Sequence, residues 1–243
     1  MLEFNNMKRI QTLAGFLFLL GLGGSAGAAK SVSPSSMLTV TTKIKALPCN
    51  ASISGTVDHG VISRALLHPT QLTQLNSQNI TLNIDCEGDT LLRIKVSDEK
   101  TGAGMKPSGD LKMKFGTGLY TMDNRSGLGL GKNSAGIPIG AYALQFAYAT
   151  VVNSANASMP VKLIRASSAT GAISETPADT AFFLNLVPYF GAVTYNGSSW
   201  DPAAGKTFTF PIVVATTINK SSLLKAGDTA ELDGKVTMEI VYL

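Results

Sequence analysis

The residues of this sequence that could carry out catalysis are few, and they do not form a recognisable motif. A Ser-His-Asp triad could be drawn from His59 or His68, Asp58 and one of many serines. Asp58 and His59 are adjacent, however, and adjacent side chains of a strand point to opposite faces. The stretch 131–133 (Gly-Lys-Asn) lacks the earlier glycine and the following hydroxyl of a phosphate-binding loop. We therefore expect no catalytic residues, no metal site and no cofactor, and predict that the protein is not an enzyme.

The N-terminal residues have the pattern of a secretory signal peptide. Lys8 and Arg9 are followed by the uncharged apolar run Leu13–Leu22, and Ala26 and Ala28 form a small-x-small cleavage site. An apolar run of this length is too short to span a bilayer, which needs about 20 residues. We predict a signal peptide over residues 1–28, export of the chain, and no transmembrane segment.

The two cysteines of the chain are Cys49 and Cys86. Because exported proteins fold in an oxidising compartment, an even number of cysteines predicts a disulfide bond. Two free buried thiols are the alternative. A bond closing a loop of this length stabilises a fold by roughly 3–4 kcal/mol.

The composition and the short-range pattern of the chain favour an all-β fold. The sequence contains 24 Gly and 10 Pro, and only 15% of its residues are charged. Apolar and polar residues alternate in many short runs separated by Gly-rich turns, which is typical of a sandwich or barrel. The net charge of +4 is mild and the basic residues are scattered, so nucleic acid is not an expected partner.

The alternation predicts individual strands, of which the C-terminal run is the clearest. Pro211 predicts an edge strand or a bulge at its position. The best helical candidate is Ser63–Leu75, and residues 153–180 read as an insertion or irregular region. The predicted strands are 38–46, 80–86, 92–96, 111–115, 142–148, 161–164, 182–187, 208–214 and 236–243.

One polar stretch contains aromatic residues that could bind a sugar. Trp200 lies near Tyr195 and Asp201, and aromatic rings of exposed loops stack on glycans in lectins. A single Trp is more often a local packing anchor. Trp200 and Tyr195 are therefore candidate glycan contacts, with the packing role as the alternative.

Four segments, taken in order, resemble the chaperone–usher pilins, the subunits of Gram-negative fimbriae. A longer block, Asp123–Leu144, is similar to the signature of a pilin-related family of unknown function, among fimbrial-type and glutamate-synthase-operon-associated periplasmic proteins. The resemblance covers most of residues 38–150 and the last strand. The four segments are LTVTTKIKALPC (Leu38–Cys49), VDHGVIS (Val57–Ser63), ITLNIDC (Ile80–Cys86) and the C-terminal GKVTMEIVYL.

The resemblance implies an immunoglobulin-like β-sandwich over residues 49–243 that lacks its last strand, preceded by an N-terminal extension over 29–48. In pilins such an extension is the donor strand, which completes the sandwich of another subunit by β-strand addition. Pilin donor strands usually have Gly where this chain has Thr42. The implied donor-strand residues are Leu38, Val40, Thr42, Ile44 and Ala46, and the implied groove-bordering, chaperone-facing residues of the last strand are Val236, Met238, Ile240 and Tyr242.

The function implied by the resemblance is that of a fimbrial subunit with a role in surface adhesion. Its expected partners are other pilin subunits, a periplasmic chaperone and an outer-membrane usher, with a host glycan as a candidate ligand. Its expected location is the periplasm and then the fimbrium at the cell surface. Two alternatives stay open: a self-contained periplasmic accessory or binding protein, in which the terminal strands pair within one domain, and a carbohydrate-binding adhesin.

Overall fold

The computed structural model describes residues 48–100, 111–122, 127–171, 173, 176–184, 186–224 and 232–243. These residues form strands and one short 3₁₀ turn, Arg64–Leu66. The all-β prediction is therefore confirmed. The strands are β1 (Cys49–Ser54), β2 (Thr73–Gln74), β3 (Gln78–Asp98), β4 (Leu111–Phe115), β5 (Gly118–Met122), β6 (Leu128–Gly129), β7 (Gly140–Ala147), β8 (Thr150–Val152), β9 (Ser158–Met159), β10 (Lys162–Ala166), β11 (Thr180–Phe182), β12 (Tyr189–Tyr195), β13 (Trp200–Pro202), β14 (Ala204–Ile218) and β15 (Val236–Tyr242).

Two long strands, β3 and β14, organise a curled sheet with the order β10-β12-β3-β14-β7-β11. The first part of β3 pairs with β1 and β14, and its last part pairs with β12 and β15. Strands were predicted over 80–86 and 92–96, but the chain continues between them as one strand of 21 residues. The register against β14 shifts between Gly205 and Thr207, and this shift lies opposite the residues that join the two predicted strands.

The main core lies inside the curl of this sheet. Alternate residues of β3 point into it and are buried, as period 2 requires. Phenylalanines from different strands fill its centre: the Phe146 and Phe190 rings stack with their centroids 4.2 Å apart. Full burial of each such side chain contributes about 1.5–3 kcal/mol. Core residues from both parts of β3 are Leu82, Ile84, Cys86, Leu92, Ile94 and Val96.

A hairpin made of β4 and β5 covers the opposite face of the sheet. Its buried Leu111 and Met113 pack against a cluster that includes Ala141, Ala143 and Ala215. These alanines have small side chains, which lets the hairpin approach β7 and β14 closely. The Thr217 hydroxyl donates a hydrogen bond to the Lys112 carbonyl oxygen over 2.7 Å, which ties the hairpin to β14.

Pro211 lies inside β14, which is a central strand with neighbours on both sides. Of the two alternatives that its presence predicted, the edge strand is wrong and the bulge is confirmed. Phe146 pairs with Ile212 and Thr150 pairs with Thr209, so residues 147–149 face only residues 210–211. Tyr148 in this bulge has a φ of 45°. A proline has no N–H to donate, so a position opposite a bulge suits it.

The predicted Cys49–Cys86 disulfide is confirmed. The two residues are directly opposite each other in the antiparallel pairing of β1 with β3. The beginning of β1 also lies beside the end of β15, because the Cys49 N–H donates to the Tyr242 hydroxyl oxygen over 3.0 Å. The chain therefore enters the described fold next to the end of its last strand.

Three sequence-based predictions are corrected by the structure. Of the apolar run 182–187, predicted as a strand, Phe182 is the only described residue that belongs to a strand, and Leu186 is 65% exposed. The helical candidate Ser63–Leu75 contains the 3₁₀ turn and strand β2 and no α-helix, which fits the loss of a backbone donor at Pro69. Residues 153–180 are not irregular throughout, since β9 and β10 lie in them and β10 pairs with β12.

The predicted signal peptide (1–28) and nearly all of the N-terminal extension (29–48) lie outside the described residues. The domain boundaries therefore stay predictions. Within the part of the chain that the structure describes, no helix has the length and apolar character needed to cross a membrane.

Candidate functional site

An apolar cavity of about 680 Å³ lies beside the beginning of β15. Its floor is formed by β7, β14 and the beginning of β3, and one side by the residues that lead into β15. Its other side is the segment 57–62, which we call the wall segment. Lining side chains are Val57, His59, Ile62, Arg64, Leu67, Ile80, Leu130, Ile139, Tyr142, Leu144, Val214, Thr216, Ile218, Leu224, Leu232 and Val236.

The last strand presents one side to the core and the other to solvent. Val236, Met238 and Ile240 are half-buried and pack against the main core, whereas Thr237 and Glu239 are exposed. Tyr242, predicted to border a groove with them, is 42% exposed and its hydroxyl contacts Cys49. Among the described residues β15 pairs only with β3. One edge of β15 thus has no partner strand in the described part of the chain.

The wall segment is held in place by side chains. It contains no strand, and its residues make no backbone–backbone hydrogen bond with other described residues. The Asp58 N–H donates to Gln78 Oε1 over 3.0 Å, and Gln78 Nε2 donates to the Asp58 carbonyl oxygen. The Asp58 carboxylate accepts from the Gly60 N–H over 2.7 Å. Gly60 has a φ of +60°, which glycine adopts without strain.

His59 connects the wall segment to the cavity floor. Its Nε2 lies 3.0 Å from the Thr216 hydroxyl, and its Nδ1 lies 3.3 Å from Gln78 Nε2. Burial lowers the pKa of His59, and the adjacent Asp58 carboxylate opposes this shift. Thr216 is 1% exposed and lies on β14. The imidazole is therefore part of the structural frame of the cavity, and its hydrogen-bond partners among the described residues are Thr216 and Gln78.

Two further polar groups line the cavity. The guanidinium of Arg64 donates to the carbonyl oxygens of Leu224 and Ser221, the latter over 2.6 Å. The Tyr142 hydroxyl is buried and makes no hydrogen bond with described residues. Burial, and the nearby Asp98 carboxylate, raise the pKa of Tyr142, so this phenol stays neutral. The described lining of the cavity is thus apolar with few charged groups, which suits an apolar occupant.

The other candidate residues are distributed away from this cavity. His68 lies in a turn, where its Nδ1 accepts the N–H groups of Thr70 and Gln71. Within the described ranges no three His, Cys, Asp or Glu residues cluster as a metal site would require. The donor-strand candidates Leu38, Val40, Thr42, Ile44 and Ala46 lie outside the described residues.

The aromatic pair proposed as a glycan contact lies on the hairpin between β12 and β13. The rings of Tyr195 and Trp200 have centroids 5.2 Å apart, and Tyr195 is 54% exposed. Trp200 is half-buried and packs against a small cluster of Ile164, Ala166 and Val193. This geometry accounts for Trp200 as a packing anchor of the hairpin.

Two residues that hold the wall segment, Gln78 and Thr216, were not identified from the sequence. Gln78 precedes a predicted strand, and Thr216 lies just after another, so both look like ordinary strand residues. Only their hydrogen bonds to the wall segment distinguish them, and Thr216 is separated from His59 by 157 residues. The sequence does contain a local signal for the wall segment. This is the VDHG run at residues 57–60, in which Asp and Gly favour a turn and the histidine can form hydrogen bonds.

Fold and site together define an all-β protein with one disulfide bond and an apolar cavity beside its last strand. Residues 38–143 match the family described as "Protein of unknown function (DUF1120)". Among curated proteins, the chain is similar to "Protein GltF" of Escherichia coli (strain K12). The two are 26% identical over 203 residues, which is 78% of this chain and 80% of that protein.

A second relative is the "Uncharacterized protein YhcF" of the same organism. It is 26% identical over 236 residues, which is 91% of this chain and 97% of the relative. No solved structure matches the chain significantly. These comparisons carry no activity or ligand, so a proposal about function rests on the cavity.

Proposed function

We propose that the protein is an exported, pilin-like subunit of a fimbrium that is assembled by β-strand addition and contributes to surface adhesion. The fold would then be an immunoglobulin-like sandwich that lacks one strand. The observation that carries the proposal is the apolar cavity between the wall segment and β15. A strand inserted there would add its backbone hydrogen bonds to the edge of β15 that no described strand pairs with.

The chemistry of the cavity supports an extended apolar occupant. Aliphatic side chains dominate its lining, and the alternate side chains of a strand that point to one face could fill it. The N-terminal run Leu38–Ala46 has this alternation. In the proposed assembly, Leu38, Val40, Ile44 and Ala46 of one subunit fill the cavity of another. A periplasmic chaperone would cover it first, and an outer-membrane usher would be the place of assembly.

The test compares the mature chain from Ala29 with a truncated chain that begins at Leu47. A synthetic Met37–Leu47 peptide is added to the truncated chain, and a peptide with Val40→Asp and Ile44→Asp is the matched control. We expect the truncated chain to be less stable in urea and to be restored by the first peptide only. Equal stability of both chains, with no binding of either peptide, would contradict strand addition and favour a self-contained periplasmic protein.

A further inference from the structure

The hydrogen bonds of Gln78 fix the protonation state of His59. Gln78 Oε1 faces the Asp58 N–H, and an N–H can only donate. Its Nε2 faces the Asp58 carbonyl oxygen, which can only accept. The orientation of the amide is therefore determined by the backbone of Asp58. Since Gln78 Nε2 is a donor, the His59 Nδ1 at 3.3 Å must be an unprotonated acceptor.

The remaining ring nitrogen then carries the proton. In a neutral imidazole with Nδ1 unprotonated, Nε2 is the donor, so Nε2–H donates to the Thr216 hydroxyl oxygen at 3.0 Å. Protonation of Nδ1 would place one donor against another and break the contact with Gln78. Gln78 cannot rotate to accept this proton without losing both of its bonds to Asp58.

We propose that His59 is a pH-sensitive latch of the wall segment: the neutral imidazole holds residues 57–62 against β3 and β14, and acidification releases them. The inference rests on the proposed function, because it assigns regulation to the cavity in which a strand would bind. Release of the wall removes one side of that cavity, so an inserted strand is bound more weakly at acid pH.

Few charged groups of the described residues lie around His59. Asp58 lies on the same segment and favours the imidazolium, and the exposed Arg64 lines the same cavity with its guanidinium on two carbonyl oxygens. From β3 and β14, the side chains facing the imidazole are the uncharged Gln78 and Thr216. Among the described residues, Tyr142, a neutral phenol, is the remaining titratable group of the lining. Asp58 is thus the one carboxylate among these groups. It raises the pKa of His59, but by less than burial lowers it.

The sign of the effect follows from linkage. Burial holds the pKa of the latched His59 below its ordinary value of 6.5, so the released segment binds protons more readily than the latched one. The latch is fully effective above the ordinary pKa and weakens as the pH falls through it. From pH 7.5 to pH 5.0 the ratio of released to latched protein rises by at most about 30-fold, the limit for a latched form that never protonates.

The test uses the mature full-length protein. Two-dimensional NMR of the ring nitrogens at pH 7.5 should show the neutral tautomer with the proton on Nε2 of His59. Hydrogen-exchange protection of the Asp58 amide, whose N–H is bonded to Gln78 of β3, should fall by up to about 30-fold between pH 7.5 and 5.0 after correction for intrinsic rates. In the His59→Gln variant, which keeps an amide near the Nε2 position but cannot titrate, the protection should not change with pH.

A proton on Nδ1 at pH 7.5 would overturn the latch, and so would equal pH responses of the wild type and His59→Gln. Binding of the Met37–Leu47 peptide to the truncated chain is measured at both pH values as a separate readout. Weaker binding at pH 5.0 in the wild type alone supports the inference, and unchanged binding overturns its regulatory part. Absence of binding at either pH overturns the proposed function, and the exchange measurement still decides the latch.

Discussion

Removal of the disulfide bond should detach β1 before the rest of the sheet unfolds. The bond joins residues 37 positions apart, and cross-linking a loop of this size stabilises the fold by about 4 kcal/mol. Five of the six residues of β1 are exposed, so the strand buries little apolar surface. Without the bond it is held chiefly by backbone hydrogen bonds to β3, each worth about 0.5–1.5 kcal/mol.

The perturbation is the double variant Cys49→Ala/Cys86→Ala, which leaves no free thiol. With a urea dependence of about 2 kcal/mol/M, a loss of about 4 kcal/mol lowers the unfolding midpoint by about 2 M. Hydrogen exchange should show that amides of β1 lose protection more than those of β3 and β14. The matched control is Ile53→Ala on β1, whose side chain is 55% exposed and whose loss should cost less than about 0.5 kcal/mol.

Two results would refute this reasoning. A midpoint that falls by less than about 0.5 M would mean that the loop entropy of the unfolded chain is not the main contribution of the bond. Amides of β1 that stay as protected as those of β14 would mean that side chains or the contact between Cys49 and Tyr242 hold the strand.

The remaining predictions concern packing. Gly140→Ala should destabilise the protein by about 1–3 kcal/mol in urea unfolding, because an added Cβ would overlap the Thr217 carbonyl oxygen of β14. The control is Gly191→Ala, whose Cβ would meet the flexible Arg93 side chain at 3.3 Å. This variant should destabilise the protein clearly less. Trp200→Ala should lower the free energy of unfolding by about 1–3 kcal/mol, since its half-buried ring packs against β10 and β12, and Tyr195→Ala should cost less. Loss of glycan binding in Trp200→Ala at unchanged stability would instead support the sugar-binding interpretation.

The strands that the sequence predicted well are those whose period-2 pattern is complete within a few residues. The C-terminal run 236–243 predicted β15 with its observed first residue, and β15 ends at Tyr242. The run 111–115 predicted β4 with the same bounds. The continuity of β3 was not predictable, because the stretch 87–89 (Glu-Gly-Asp) has turn composition. In the fold, β3 continues through this stretch. Its pairing with β14 shifts register there and then resumes on the other side of the shift.

The candidate site was only partly predictable for a different reason. The VDHG run could be recognised as a local element, but its partners Gln78 and Thr216 come from β3 and β14. A hydrogen bond between a wall and a floor depends on how the sheet brings distant strands together, and no local pattern encodes this. Polar residues that look like ordinary strand positions therefore become site residues only in the folded chain.

The two sides of the cavity are stabilised by different kinds of interaction, and this difference has a consequence for function. β15 is fixed by a ladder of seven residue pairs with β3, and backbone hydrogen bonds of this kind do not depend on the protonation of a side chain. The wall segment is fixed by Gln78, Thr216 and the turn at Asp58, with His59 between them. A change of pH in the physiological range should therefore leave the strand-pairing edge intact and act on the opposite side alone. Under the proposed function, this arrangement would separate the edge that binds a strand from the element that responds to pH.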